Sequence, residues 1–391
     1  MRLSRTDRSL LTEWWFTVDR ALLTAILTLM GIGVVLSLAA GPAVAIKKGL
    51  PAYYFVERHV LFAALGAIVM LAVSVLEPRQ VRRLALALFV CALALMLAVL
   101  LSGPEINGAK RWLRVGGHSF QPSELAKPAF VVLSAWLFAE SKRRPDMPAL
   151  PLAVGAYAVF ATLTVLQPDV GQTLLVSLVW AALFFLSGQP LVRFATLGFA
   201  GAAGLAAAYS TFPHVRSRIL RFLDPASGDT YQTDRAIESF TEGGWFGRGP
   251  GEGTIKNILP DAHTDFIFAV IGEEYGTIAC LAIVALFAFI VFRALRRVRT
   301  EPDLSTRFAI VGLTLMFALQ AVINMGVNLG LVPAKGLTLP FISSGGSSNL
   351  ALSLLAGMLL SLTRRRPDAA RVRKPSLRMH ASTIELREPG T

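Results

Sequence analysis

The densest run of reactive side chains in the sequence is Pro260-Asp261-Ala262-His263-Thr264-Asp265-Phe266-Ile267-Phe268. Asp265 directly precedes an apolar stretch, so its carboxylate stands at the edge of that stretch, partly desolvated, with His263 and Thr264 beside it. Two readings of this position stand side by side. A carboxylate at a helix start caps the helix, because its oxygen accepts a first-turn N–H and its charge complements the dipole. The same carboxylate, partly stripped of water and restrained by neighbouring cations, is suited to take a proton as a general base. Glu273 and Glu274, two turns further on, are costly facing lipid and are expected to line the same interior.

Other candidate groups are cationic. Lys110, Arg111, Arg114, Arg216, Arg218, Arg221 and Lys335 fall in polar segments between apolar runs. Singly they read as solvated loop charge; together they point to an anionic ligand such as a phosphate or diphosphate. Lys127 and Asp169 lie at or within apolar runs, where each either snorkels from a helix end or faces a cavity or partner. The five histidines, His59, His118, His214, His263 and His380, are scattered, and Cys91 and Cys280 are embedded in apolar runs. A metal held only by protein ligands and a disulfide framework are therefore not expected. Gly247-Arg248-Gly249-Pro250-Gly251-Glu252-Gly253 fits neither nucleotide-loop register and reads as a glycine-rich turn.

The elements that must position these groups follow from composition. Of 391 residues, 54% are hydrophobic and 16% charged, and the mean hydropathy is +0.58. A soluble globule of that composition would expose more apolar surface than it could hide, so the chain is read as an all-α polytopic membrane protein with lipid as its solvent. About ten spans are expected, near 21–41, 59–76, 84–102, 125–140, 150–166, 171–187, 191–211, 266–292, 307–330 and 344–363. The fourth to sixth are short.

The net charge of +13 comes largely from clusters between runs, which topology explains without nucleic acid. Arg79, Arg82 and Arg83 fall in one expected loop, Lys142–Arg144 in another, Arg293–Arg299 in a third, and Arg364–Arg366 after the last span. These segments share a side with the N-terminus, so the positive-inside rule makes both termini cytoplasmic. Ala43-Val44-Ala45 resembles a cleavage site, but the apolar run before it is longer than a signal-peptide core, so the first helix is expected to stay. The organisation read from this is a cytoplasmic segment 1–20, a ten-helix membrane domain 21–363, and a disordered basic cytoplasmic tail 364–391. Its external loops are 103–124 and 212–265, the latter large and lying between helices 7 and 8.

Several motifs, in order, resemble the FtsW/RodA (SEDS) family. They are Gly108-Ala109-Lys110-Arg111-Trp112, Gln121-Pro122-Ser123-Glu124, Gln167-Pro168-Asp169 with Gly171, Tyr231-Gln232, Gly247-Arg248-Gly249, the run from His263 to Glu273-Glu274, and Pro340-Phe341-Ile342-Ser343-Ser344-Gly345-Gly346-Ser347-Ser348. Lys335-Gly336-Leu337-Thr338-Leu339-Pro340 resembles the division-specific branch more than the elongation-specific one. One departure stands out: Ser344 occupies the place before the Gly-Gly pair where the family usually has Tyr.

The resemblance implies a peptidoglycan glycosyltransferase that polymerises lipid II into glycan strands at the outer face of the inner membrane, at the division septum. Its implied partners are a class B penicillin-binding protein (the septal transpeptidase) and other division proteins. The family's essential aspartate falls on Asp265, as general base for an inverting transfer with undecaprenyl diphosphate as leaving group. Substrate-binding positions are then expected at Lys110, Arg111, Glu124, Lys127, Asp169, Arg218, Gln232, His263, Glu273, Lys335 and Ser343. No tightly bound cofactor is implied, although a divalent cation, Mg or Mn, can arrive with the substrate diphosphate. Two rivals remain: a lipid II flippase, which intramembrane ions such as Lys127 and Asp169 would also suit, and a non-catalytic division scaffold.

Overall fold

The computed structural model describes residues 10–105, 109–115, 118–211, 231–332 and 336–365, together with positions 213, 216 and 220. Among these residues are twelve α-helices: α1 (Leu10–Thr17), α2 (Arg20–Lys47), α3 (Tyr54–Ser74), α4 (Pro78–Ser102), α5 (Pro122–Arg143), α6 (Ala149–Leu166), α7 (Val170–Leu186), α8 (Leu191–Thr211), α9 (Tyr231–Gly243), α10 (Ile267–Val298), α11 (Leu304–Asn328) and α12 (Gly346–Thr363). An antiparallel hairpin, β1 (Leu113–Val115) and β2 (His118–Phe120), precedes α5, with Arg114 opposite Ser119. This small sheet lies where only a loop was expected.

Each of the ten expected spans coincides with a helix, and eight of these helices are long and apolar enough to cross a membrane. Of the other two, α7 is 17 residues long, and α5 carries Glu124, Lys127, Glu140, Lys142 and Arg143 along its length. The ends differ from expectation because helices outlast their hydrocarbon segments. Pro78 starts α4, where Gln80 and Glu77 form a reciprocal capping box, so Arg79, Arg82 and Arg83 sit on its first turns and not in a loop. Likewise α3 begins at Tyr54, which makes Glu57, Arg58 and His59 helical, and α5 runs on to Arg143.

The centre of the bundle is built by α5, α11 and α12, whose faces are buried along most of their length. Glycines let helices meet at backbone distance: a Cβ on Gly357 would stand 2.7 Å from the Met70 carbonyl oxygen of α3. By contrast α8 has no buried residue. The long helix α10 is broken at Gly276, whose φ of 77° and ψ of 177° leave the helical region. A side chain there would also collide with the main chain of Trp245–Gly247, 2.4 to 2.6 Å away. The break lets the turn after α9 dock, with Thr277 N–H donating to the Gly244 carbonyl and Arg248 N–H to that of Glu273.

Candidate active site

Asp265 is positioned through its main chain. Asp261 takes a left-handed conformation (φ 52°), accessible to Asp at modest cost, and its carbonyl accepts the N–H groups of Thr264, Asp265 and Phe266 at 3.0, 3.1 and 3.3 Å. The segment before α12 closes on this turn. Ser343 Oγ donates to the Thr264 carbonyl at 2.5 Å and accepts the Leu339 N–H, while Ser344 N–H donates to the His263 carbonyl at 2.9 Å. From α11, the side-chain amides of Asn324 and Asn328 each donate to the Asp265 carbonyl at 2.9 Å. The Asn324 amide also donates to the Leu337 carbonyl, and Asn328 Oδ1 accepts the Ala269 N–H. The N-cap of α10 is Phe266, so the capping position itself does not fall on Asp265. Its carboxylate is half-buried and borders Gly336 (φ 64°), where a Cβ would lie 3.6 Å from Oδ2.

A buried polar chain runs towards this turn. Arg111 Nη1 pairs with Asp169 Oδ2 at 3.4 Å, and Gln121 donates to the same oxygen at 2.7 Å. Gln172 donates to Glu124, whose other oxygen pairs with Lys127 Nζ at 2.9 Å. Lys127 donates to Gln320 Oε1 at 3.2 Å, and the Gln320 amide donates to the Thr338 carbonyl at 3.1 Å. Lys127 and Asp169 thus face partners inside the protein and are 2% and 4% exposed, which excludes snorkelling. Burial pushes the Asp169 carboxyl above its ordinary range, opposed by Arg111, the Gln172 N–H and Gln121 and reinforced by Glu124.

The remaining expected positions are dispersed. His263 is buried with its ring 4.3 Å from that of Phe55; burial first, and Lys48 second, lower its pKa to about 4, so it is neutral at pH 7. Ser343 holds the Asp265 turn, as above. Glu273 does not line an interior shared with Asp265. It is fully buried and accepts the N–H groups of Thr254, Ile255 and Lys256 at 2.6, 2.8 and 3.2 Å, so it organises the glycine-rich loop. Glu274 joins it by pairing with Lys256 and accepting the Gly251 N–H. Lys110 and Gln232 are half-buried. Arg218 and Lys335, like Arg221 and most of the tail, lie outside the described residues.

Sequence reasoning missed Gln172, Gln320, Asn324, Asn328 and Gly336. The three on α11 did carry a signal, since positions 320, 324 and 328 share one helix face and place amides at four-residue intervals in an apolar run. Among the described residues no group of three His, Cys, Asp or Glu side chains is gathered to hold a metal ion. The arrangement supplies one fixed carboxylate and a network of buried charges, suited to proton transfer and electrostatic stabilisation.

Fold and site together define a multi-pass membrane protein with a carboxylate site at one end of its helix bundle. The family described as "Cell cycle protein", FtsW/RodA/SpoVE, matches residues 20–367, and the chain belongs to it. A protein of Caulobacter vibrioides called "Probable peptidoglycan glycosyltransferase FtsW" is 44% identical, over 94% of both chains. One of the same description from Saccharophagus degradans is 33% identical over 85% of this chain and 89% of its own. Among solved structures, one described as "Structural coordination of polymerization and crosslinking by a peptidoglycan synthase complex" aligns with a TM-score of 0.72 at 30% identity. It covers 89% of this chain and 98% of the other. The rod shape determining protein RodA of Thermus thermophilus aligns at 0.64 and 27% identity, over 89% and 97%.

Proposed function

We propose that this chain is a peptidoglycan glycosyltransferase of the division branch, polymerising lipid II at the outer face of the inner membrane during septal wall synthesis. Asp265 is its general base. It takes the proton from the 4-hydroxyl of the acceptor GlcNAc; that oxygen attacks the anomeric carbon of the donor MurNAc, and undecaprenyl diphosphate leaves with inversion. The observation that carries this reading is the turn around Asp265, held at its main chain by Asn324, Asn328 and Ser343 while the carboxylate stays half-buried. A base must keep its oxygen within hydrogen-bond reach of the proton it removes, and a fixed backbone holds it in place for that transfer.

Lys110, Arg111 and Arg218 are assigned to the diphosphate, stabilising charge as it develops on the leaving group. Glu124, Lys127, Asp169, Gln232, His263 and Lys335 are assigned to substrate contact or to shaping the groove. A divalent cation, Mg or Mn, belongs to the diphosphate as part of the substrate and adds charge stabilisation. The partner is a class B penicillin-binding protein, in keeping with the synthase complex that this fold matches.

The test is glycan polymerisation from lipid II in liposomes, with and without that partner, comparing the native chain with Asp265→Asn. Polymer from the native chain and none from a folded, partner-bound variant is the expected result. Transbilayer movement of lipid II with no polymer from either protein would favour the flippase reading. Growth supported by Asp265→Asn would favour a scaffold.

A further inference from the structure

At the end of the bundle opposite the Asp265 turn, α1 and the start of α2 meet the last turns of α10 and α12. On its inner side α1 is tied down. Trp14 Nε1 donates to Ser74 Oγ of α3 at 2.9 Å, Arg364 Nε donates to Thr17 Oγ1 at 2.9 Å, and the Arg365 N–H donates to the Thr17 carbonyl at 2.9 Å. On its outer side the same helix leaves Trp15 and Phe16 each 38% exposed. Arg20, in the first turn of α2, lays its guanidinium over both rings, 4.8 and 5.9 Å from their centroids.

The nearby carboxylates are committed elsewhere. Asp19 accepts from Arg293 Nε at 2.8 and 3.1 Å and from the Leu22 N–H. Glu13 pairs with Arg364 at 3.3 Å. Arg20 is exposed and has no carboxylate within ion-pair distance among the described residues. Its Nε donates to the Trp15 carbonyl at 3.4 Å, which leaves both Nη groups to an outside acceptor. The planar fork of a guanidinium matches a phosphate.

An apolar face continues from this cation. Thr24, Leu27, Gly31, Val35 and Leu38 follow Arg20 at helical spacing, and all of them are exposed. No neighbouring atom stands within 4 Å of where a Cβ on Gly31 would lie, so the face dips there. Arg20 and Gly31 are about 16 Å apart along the axis at 1.5 Å per residue, close to one leaflet of a ~30 Å hydrocarbon layer. A cation with aromatic rings at the head of an apolar stripe is the outline of a headgroup and its tail, and a soluble anion would have no use for the stripe.

We infer that this face binds an anionic phospholipid of the leaflet at this end, the cytoplasmic one by the positive-inside rule. Its phosphate sits on Arg20, its glycerol backbone lies against Trp15 and Phe16, and one acyl chain runs along α2 from Thr24 past Gly31. The two rings hold the guanidinium in place before the lipid arrives, so less side-chain freedom is lost on binding. A zwitterionic headgroup carries its own cation beside the phosphate and competes with Arg20, so the site selects by headgroup charge. None of this depends on the glycosyl-transfer reading.

The test is native mass spectrometry of the full chain from detergent micelles holding equal amounts of dioleoyl phosphatidylglycerol and dioleoyl phosphatidylcholine. Native protein is compared with Arg20→Gln, Arg20→Lys, Gly31→Leu and, as a control on α4, Arg83→Gln, each checked for an unchanged Tm. The native chain is expected to retain phosphatidylglycerol in preference to phosphatidylcholine. Arg20→Gln should reduce that preference by about fivefold, the worth of one cation against an anionic lipid surface. Arg20→Lys should fall between, and Arg83→Gln should match the native chain. Gly31→Leu should weaken retention of both lipids and leave the preference unchanged. An equal preference in native protein and Arg20→Gln overturns the proposal. So does displacement of the lipid by glycerol 3-phosphate, which would mark a seat for phosphate alone, and so does a native dimer that Gly31→Leu converts to monomer, which would give the face to a second copy.

Discussion

Gln320, Asn324 and Asn328 show how a neutral amide suits a low-dielectric interior. Each offers donors and an acceptor without the desolvation cost of an ion, and two of them hold the Asp265 carbonyl. Replacing Asn324 by Ala leaves the Leu337 carbonyl without that donor and the Asp265 carbonyl with one amide fewer. An unsatisfied buried group costs about 1–3 kcal/mol. Polymerisation by Asn324→Ala should therefore fall by about tenfold to a hundredfold, measured as kcat with lipid II, while its KM changes little. His263 gives a pH signature. Its folded pKa of about 4 lies below the ordinary 6.5, so its contribution to stability is complete above pH 6.5 and is lost as pH falls towards 4. The full loss is on the order of 3 kcal/mol. His263→Gln should flatten the fall in Tm between pH 6.5 and 4 relative to the native chain; identical profiles would contradict this.

At the scale of elements, the break in α10 is the feature least visible in sequence. The apolar run from Phe266 reads as one span, and Glu273 and Glu274 then look like charges inside a membrane interior. A single φ of 77° at Gly276 changes that reading, because it opens the helix to the glycine-rich loop that both carboxylates hold. Gly276→Ala meets both an unfavourable φ and a main chain 2.4 Å away. It should expose the 244–257 loop to limited proteolysis and lower Tm, whereas Ala at Gly251 (φ 87°, in open space) should do so less. The ten apolar runs were legible as helices from hydropathy, whereas α1 and α9 were not, because α1 is only eight residues long and α9 is largely polar. Nor were helix ends legible, since Tyr54–Arg58 and Pro78–Arg83 are helical but polar. Within the site, Asp265, Lys127 and Asp169 announced themselves by charge in apolar surroundings. Gln320 and Asn324 did not, because an uncharged amide in a span raises no comparable alarm, and Glu273 misled because its partners are backbone N–H groups that no side-chain pattern encodes.

Over the whole molecule, the chain of contacts from Arg111 to Thr338 ties the first external loop, α5, α7 and α11 to the segment behind Asp265. Its central pair is buried, so removing one member strands the other. Lys127→Met should destabilise the fold by about 3–5 kcal/mol. Adding Glu124→Leu should recover most of that loss by denaturant midpoint without restoring polymerisation. Recovery of activity in the double variant would show that the pair serves only the fold.

Depth in the bilayer is the other quantity that the whole molecule sets. Beyond Gly276, the stretch from Thr277 to Val298 is unbroken helix, about 33 Å long at 1.5 Å per residue, close to the ~30 Å of a hydrocarbon layer. The break therefore works as a waterline. A hydrocarbon layer matched to that stretch would have its boundary at Gly276, with the loop that Glu273 and Glu274 hold and the Asp265 turn on the polar side of it.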